Sequence, residues 1–116
     1  MKVIDSDLVV MIDVDETLLM IPQSKGGISI ELKNPYTGYI RVREIHTEHI
    51  DLIKQYKKQG YAVVVWSANG HLWAKEVVEK LNLTDMVDLV MCKPIKYVDD
   101  LKADEILTGR VYIPYK

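Results

Sequence analysis

Short apolar runs alternate with helical stripes along most of this chain, and the alternation limits the folds open to it. The runs at 8–12, 61–66 and 87–91 are rich in apolar side chains, as strands covered on both faces are. One helical pattern begins with Thr47 as its expected N-cap, and another follows Gly70. Strands joined through helices run parallel, so the sequence predicts an α/β domain with a mostly parallel central sheet.

Shorter apolar segments complete the predicted architecture. Two of them, at 95–98 and 111–113, are predicted to be further strands. After the first run, two stretches of alternating apolar and polar residues flank a turn at 34–38, which indicates a β-hairpin. We expect this hairpin, about residues 28–43, to form a flap on a single domain that spans residues 1–116.

Composition sets bounds on function. Nearly half of the 116 residues are apolar (48%), which is enough for one core, and the formal net charge is −2. That charge gives no general attraction to nucleic acid of the kind that a strongly basic domain has. The single Cys92 cannot form an internal disulfide, and no apolar run has the length of a membrane span. We therefore expect a cytoplasmic protein with no membrane partner, and the sequence leaves its oligomeric state open.

Two carboxylates, Asp13 and Asp15, stand where the first apolar run ends. Ionised side by side, they would repel one another unless a cation lay between them. Mg²⁺ suits such a pair because it takes few protein ligands and leaves room for a phosphate. Ligands of open parallel sheets bind beyond the carboxyl ends of the strands, which is where these residues are expected. A plain turn that begins with Asp is the alternative.

The segment Asp-Val-Asp-Glu-Thr-Leu at 13–18 resembles the first motif of the haloacid dehalogenase (HAD) superfamily of phosphohydrolases. Three further stretches match that family's motifs in the family's order, namely Ser67, Lys93 with Pro94, and the acidic pair Asp99-Asp100 with Asp104. The resemblance implies a three-layer Rossmann-like fold whose first strand is central, flanked by the second and the fourth. The chain has no segment long enough for a cap domain, so it is similar to small capless members with a hairpin over the site.

The resemblance also implies a mechanism. Asp13 is expected to be the nucleophile that forms an aspartyl-phosphate, which splits one hard displacement into two easier ones. Asp15 is expected to act as general acid toward the leaving oxygen and then as general base toward water. The phosphoryl group is expected to bind the Ser67 hydroxyl and the backbone N–H groups of Ala68 and Asn69.

Lys93 and the acidic motif complete the expected site. Lys93 is expected to neutralise phosphate charge and to hold Asp13, a role that suits a compact cation. Mg²⁺ is the expected cofactor, with three carboxylates as ligands and two more in support: Asp13, Asp15 and Asp100, with Asp99 and Asp104 supporting. An exposed acidic loop is the alternative for the last motif.

A Mg²⁺-dependent phosphatase is the preferred function, and two alternatives stay open. One is a catalytically idle binding or regulatory domain on the same fold. The other is a phosphotransferase whose acceptor is not water. Every matched position holds the expected residue type, which favours an enzyme, and dehalogenation is disfavoured because that chemistry does not need the acid at Asp15.

The expected substrate follows from the missing cap. Water must be excluded by the flap or by the substrate itself, which favours a large phosphorylated substrate. Basic residues on or near the flap, Lys25, Lys33, Arg41 and Arg43, slightly favour a nucleotide or a nucleic-acid end, whereas the net negative charge opposes it. Among other candidates, His46 and His49 have a spacing that a metal site could use but are expected to be exposed helix residues, and Trp73 is expected in the core.

Overall fold

The computed structural model describes residues 1–23 and 26–116, so the predicted flap residue Lys25 lies outside the described residues. In chain order the elements are β1 (Val9–Asp13), β2 (Leu19–Met20), β3 (Ser29–Lys33), β4 (Ile40–Ile45), α1 (Thr47–Lys58), β5 (Ala62–Ser67), α2 (His71–Lys80), β6 (Leu89–Cys92) and α3 (Ala103–Ile106). No helix in these ranges has the length and apolar character needed to cross a bilayer.

The main sheet consists of three parallel strands in the order β1-β5-β6. Its register pairs Asp13 with Trp66 and Ser67 with Cys92, so the carboxyl ends of the three strands meet at one edge of the sheet. The predicted α/β class, with a mostly parallel sheet and a hairpin after the first strand, is confirmed. The edge that collects the strand ends is where a ligand site is expected.

The predicted strand order is wrong, because β1 is not central. Within the described ranges β1 pairs with β5 alone, and neither 95–98 nor 111–113 forms a strand. A strand returning parallel to the far side of β1 needs a crossover of about a dozen residues. Only Lys93 and Pro94 separate β6 from position 95, so 95–98 cannot make that crossover, and Ile95 is 95% exposed.

The core is centred on β5, the middle strand. Val63 and Val65 of β5, Ile53 of α1, and Ala74 and Val77 of α2 are all fully buried. Both helices contact β5, as expected for connections between parallel strands. This packing fixes β5, and with it the strand ends on either side.

The flap is a second sheet, in which β4 pairs antiparallel with both β3 and β2. Leu32 pairs with Arg41, and Lys33 pairs with Ile40. Paired residues share a face of a sheet and successive residues alternate, so Arg41 and Arg43 lie on the face of buried Leu32. Lys33 lies on the opposite face, which separates it from the two arginines.

Contacts with α2 hold the flap in place. The Tyr36 hydroxyl accepts a hydrogen bond from the Leu72 backbone N–H (3.0 Å), and the Lys33 backbone N–H donates to the Glu76 carboxylate (3.1 Å). Gly70 has φ +108°, and the Tyr36 ring occupies the space that a side chain at Gly70 would need. A residue larger than glycine at this position would therefore push the flap away.

Two histidines at the start of α1, the N-cap His46 and the helix residue His49, anchor the C-terminal residues, and the expectation that they are exposed is wrong. His46 is 1% and His49 is 4% exposed, and their rings stack 3.7 Å apart. His49 Nδ1 lies 2.7 Å from the Thr17 carbonyl oxygen, and the Ile113 N–H donates to His49 Nε2 (2.9 Å). A carbonyl needs a donor and an N–H needs an acceptor, so His49 is neutral with its proton on Nδ1. His46 Nε2 bonds the Ile113 carbonyl in turn.

We expect the stability of the protein to fall as the pH drops below neutrality. Burial lowers the pKa of His49 from its ordinary 6.5, an effect that the neighbouring His46 adds to and the Thr17 carbonyl and Glu48 oppose. Between the lowered folded-state pKa and 6.5, the unfolded chain binds more protons than the native protein does. The stabilisation is therefore complete above 6.5 and is lost as the pH falls through the folded-state value.

Urea unfolding at a series of pH values from 7.5 down to 5 measures this effect. His49→Gln keeps an amide that can donate and accept, and it should flatten the profile across this range. His71→Gln, which changes an exposed histidine, is the matched control and should leave the profile as it is. The same slope in the wild type and in His49→Gln would contradict the assignment.

Candidate active site

Asp13 ends β1 with both of its carboxylate oxygens in contact with other side chains. Lys93 Nζ lies 3.1 Å from Oδ1, and the Thr17 hydroxyl donates to Oδ2 (3.0 Å). The Lys93 and Asp13 side chains are 39% and 32% exposed, so water screens the pair and it contributes little to stability. Its importance is positional, because it brings the first and third predicted motifs together.

Lys93 reaches this position through the backbone of the sheet. It follows the last residue of β6, and its N–H donates to the Ser67 carbonyl oxygen (3.0 Å). Ser67 is 1% exposed, and its Oγ accepts a hydrogen bond from the Asn69 N–H (3.0 Å), which leaves the hydroxyl proton able to donate. Ala68 and Asn69 are exposed at the turn that follows. The second predicted motif thus lies directly beside the third.

A tight turn after β1 determines where Asp15 lies. The backbone N–H groups of Thr17, Leu18 and Leu19 all donate to the Val14 carbonyl oxygen, and Glu16 has φ +62°. Val14 and Leu18 are fully buried beneath the turn. Because these two side chains are buried, the conformation of the turn is fixed, and so is the separation of the two carboxylates of the first motif.

Asp15 is held by two side chains to which the sequence assigns no such role. Its Oδ2 accepts hydrogen bonds from Asn69 Nδ2 (2.8 Å) and from Trp73 Nε1 (3.2 Å). Asn69 was expected to contribute its backbone, and Trp73 was expected in the core, where it is 4% exposed. The available signal was chemical: a buried indole N–H needs an acceptor, and Trp73 lies in the first turn of a helix beside the second motif.

The fourth predicted motif does not join the other three. Asp99, Asp100 and Asp104 are all exposed, and no group of three or more His, Cys, Asp or Glu residues in the described part of the chain is placed to hold a metal ion. Asp99 Oδ1 accepts from the Leu101 N–H (2.9 Å), and this bond holds the pKa of Asp99 below its usual range. The structure therefore supplies two of the three expected ligands side by side.

Asp13 and Asp15 alone fit Mg²⁺ by their chemistry. This ion commonly uses one or two carboxylates of a protein, while waters and substrate phosphate fill its other positions. Both side chains are half-buried at the end of one strand, so an anionic substrate and its ion could reach them from solvent.

Cavities lie on both sides of the first motif. One of about 330 Å³ is bounded by Asp13, by the edge of β1 and by residues 109–112. Another, of about 490 Å³, is bounded by Asp15 and by the flap. A substrate bound at Asp13 therefore has room to extend toward either side.

Comparison with known proteins identifies one family. A family model described as NLI interacting factor-like phosphatase matches residues 8–100 of the chain. The matched span contains the first, second and third motifs and the acidic pair, together with the whole flap. No curated protein and no solved structure gives a significant match.

Proposed function

Because this chain belongs to the NLI interacting factor-like phosphatase family, a family of HAD-type phosphatases, we propose that it is a Mg²⁺-dependent phosphohydrolase acting through an aspartyl-phosphate. The observation that carries the proposal is the 3.1 Å contact between Lys93 Nζ and Asp13 Oδ1 at the carboxyl edge of the parallel sheet. It joins a candidate nucleophile to a cation suited to phosphate, and these two residues are 80 positions apart in the chain.

In the first half-reaction Asp13 attacks phosphorus and the ester oxygen leaves. Lys93 and the Thr17 hydroxyl hold the attacking carboxylate, and the Lys93 charge balances the negative charge of the phosphoryl oxygens. Asp15, in its protonated form, gives its proton to the leaving oxygen. Positioning and charge balance are most of what phosphoryl transfer requires, and these residues provide both.

In the second half-reaction water attacks the phosphoryl group on Asp13. Asp15, now ionised, takes the proton from that water, and inorganic phosphate leaves with the Asp13 carboxylate restored. Asn69 and Trp73 both bond the same oxygen of Asp15, so its carboxyl group keeps one orientation in both steps. The Ser67 hydroxyl and the exposed turn after it are the proposed contacts of the phosphoryl oxygens.

Asp13 would hold the Mg²⁺ ion in both half-reactions, and Asp15 would hold it only while ionised. Asp100, with Asp99 and Asp104 in support, is the third ligand proposed from the sequence, and all three lie exposed outside this pair. The ion would supply additional positive charge against the phosphoryl oxygens. We further propose that the enzyme acts in the cytoplasm, in keeping with its single exposed Cys92.

Removal of divalent metal is expected to abolish hydrolysis. The assay is release of p-nitrophenol from p-nitrophenyl phosphate before and after exhaustive chelation, followed by addition of Mg²⁺, which should restore the rate. Undiminished turnover after chelation would rule out the metal.

Asp100→Asn should raise the Mg²⁺ concentration that gives half-maximal rate more than Asp99→Asn does, because Asp99 is already bonded to the Leu101 N–H. The reverse ranking would reassign the third ligand.

Nucleotide or polynucleotide phosphates are the proposed substrates. Arg41 and Arg43 lie on the flap face that carries buried Leu32, and both arginines bound the cavity beside Asp15. Lys33, which the sequence also offers as a basic flap residue, lies on the opposite face of the flap and has no part in this proposal. Hydrolysis of a generic phosphate ester in the metal experiment is the test that separates an enzyme from an idle domain.

A further inference from the structure

A polar cavity of about 490 Å³ lies between the flap and the start of α2. This volume is in the range of pockets that hold small ligands, and it is larger than a phosphate ion needs. Its walls come from the flap, from the first motif and from the second motif, and include Asp15, Tyr36, Arg41, Arg43, Asn69 and Trp73.

The cavity carries uncompensated positive charge. In residues 1–23 and 26–116, neither Arg41 nor Arg43 belongs to any of the ion pairs found. Arg43 is half-buried and donates from Nη1 to the carbonyl oxygen of Val42 (2.8 Å), whereas Arg41 is exposed. The carboxylate that shares the cavity, Asp15, already accepts two hydrogen bonds. The cavity is therefore lined by two guanidinium groups and by one carboxylate, and that carboxylate is already hydrogen-bonded to other side chains.

The cavity is formed before a ligand arrives. Tyr36 and the backbone of Lys33 join the flap to α2 at Leu72 and Glu76, one turn apart along the helix. These bonds fix the face of the flap that holds the arginines. A binding site whose walls are already in place loses less conformational entropy when the ligand binds.

The position of Asp15 shows which part of a substrate the cavity receives. Asp15 bounds the cavity, whereas Asp13 and Lys93 do not. Asp13 and Lys93 are the proposed contacts of the transferred phosphoryl group, and Asp15 is the proposed acid toward the leaving oxygen. The cavity therefore begins beside the phosphoryl site, at Asn69 and Asp15, and the leaving group is the part of the substrate that extends from there under the flap.

We propose that Arg41 and Arg43 form a subsite for a second phosphate, carried by the leaving group of the substrate. This inference rests on the proposed function, because it takes the assignment of Asp15 as the acid. The planar guanidinium fork bonds phosphate through two parallel N–H donors, and two such groups match one phosphate diester or monoester. The second phosphate has two sources, an internucleotide linkage or a small bisphosphate.

Substrate comparison tests the subsite. We would measure kcat/KM for a nucleoside 5′-monophosphate, a nucleoside 3′,5′-bisphosphate and a 5′-phosphorylated dinucleotide. The expected result is a preference of at least about tenfold for each of the last two over the first. Preference for the dinucleotide over the bisphosphate would identify an internucleotide linkage as the source, and the reverse would identify a small bisphosphate, while both results support the subsite.

Variants of the flap test whether the two arginines cause this preference between substrates. Arg41→Gln and Arg43→Gln should each lower the ratio of kcat/KM between the bisphosphate and the monophosphate by roughly tenfold. Arg41→Lys keeps the charge without the fork, and it should lower the ratio less. Lys33→Gln removes a cation from the opposite face of the same flap and should leave the ratio as in the wild type. An unchanged ratio in both arginine-to-glutamine variants would overturn the subsite.

A binding measurement separates the two proposals. The probe is a nucleoside 3′-monophosphate with a free 5′-hydroxyl, which corresponds to the leaving alcohol, compared with the plain nucleoside by calorimetric titration. Tighter binding of the phosphate-bearing probe, weakened by Arg41→Gln, supports the subsite even if no ester is hydrolysed. Absence of hydrolysis alone would overturn the proposed function. Equal affinity for the two probes would overturn the subsite whether or not the protein is an enzyme.

Discussion

Replacement of Asp13 by Asn is expected to abolish turnover of phosphate esters while the protein stays folded. The amide has nearly the shape of the carboxylate, but it lacks the charge and the nucleophilicity that attack on phosphorus needs. Loss of a nucleophile in a covalent mechanism costs several orders of magnitude in kcat. The ion pair with Lys93 is partly exposed, so its loss should cost no more than about 1 kcal/mol of stability. Steady-state kinetics and thermal unfolding measure the two effects.

A matched variant and a trapped analogue complete this test. Asp51→Asn makes the same chemical change at an exposed carboxylate of α1, and it should leave kcat unchanged. Beryllium fluoride mimics a phosphoryl group on a carboxylate, and mass spectrometry or fluorine NMR should detect it on the wild type but not on Asp13→Asn. Near wild-type turnover by Asp13→Asn would show that the covalent mechanism is wrong.

The proximity of Asp13 and Lys93 was predictable because it depends on the strands alone. Each residue ends or follows an apolar run, and parallel strands put their carboxyl ends at one edge. The residue pattern of the individual strands was therefore enough to predict this contact between residues far apart in the chain. The hairpin was predictable for a similar reason, since the period of two in its arms defines both the strands and the turn.

The contacts of Asp15 and the two histidines were not predictable from local pattern. Asn69 and Trp73 lie 54 and 58 positions from Asp15, and their donors reach it only after α2 has packed on the sheet. The spacing of His46 and His49 predicted one shared helix face but not what covers it. Residues near Ile113, which lie in no regular element, cover it: the Ile113 backbone bonds both rings, and the rings of Tyr112 and Tyr115 pack against them.

The family resemblance predicted a wrong position for the segment after β6, because the connection that leads to this segment is too short. It implied a strand at 95–98 beside β1, yet two residues after β6 cannot carry the chain across the sheet. The same short connection leaves Asp99 and Asp100 exposed. The acidic motif thus matched in residue type, but its position could be judged only by counting the residues that lead to it.

Asp15→Asn is expected to slow hydrolysis by roughly 10²–10⁴-fold, the usual contribution of general acid–base catalysis. The asparagine side chain can accept from Trp73 and Asn69 through its oxygen, so the turn and its contacts should survive. It cannot give a proton to the leaving oxygen or take one from water. Rates with p-nitrophenyl phosphate and with an alkyl phosphate measure the change, alongside thermal unfolding as a check on the fold.

The two substrates are chosen because they need the acid to different degrees. The p-nitrophenolate leaves readily without a proton, whereas an alkoxide does not, so Asp15→Asn should damage alkyl phosphate hydrolysis far more than p-nitrophenyl phosphate hydrolysis. Trp73→Phe keeps the carboxyl group and most of the core packing but removes one donor, and it should produce a smaller loss with the same preference between substrates. A loss of equal size on both esters in Asp15→Asn would mean that this residue acts through the metal or the turn, and that the leaving oxygen obtains its proton elsewhere.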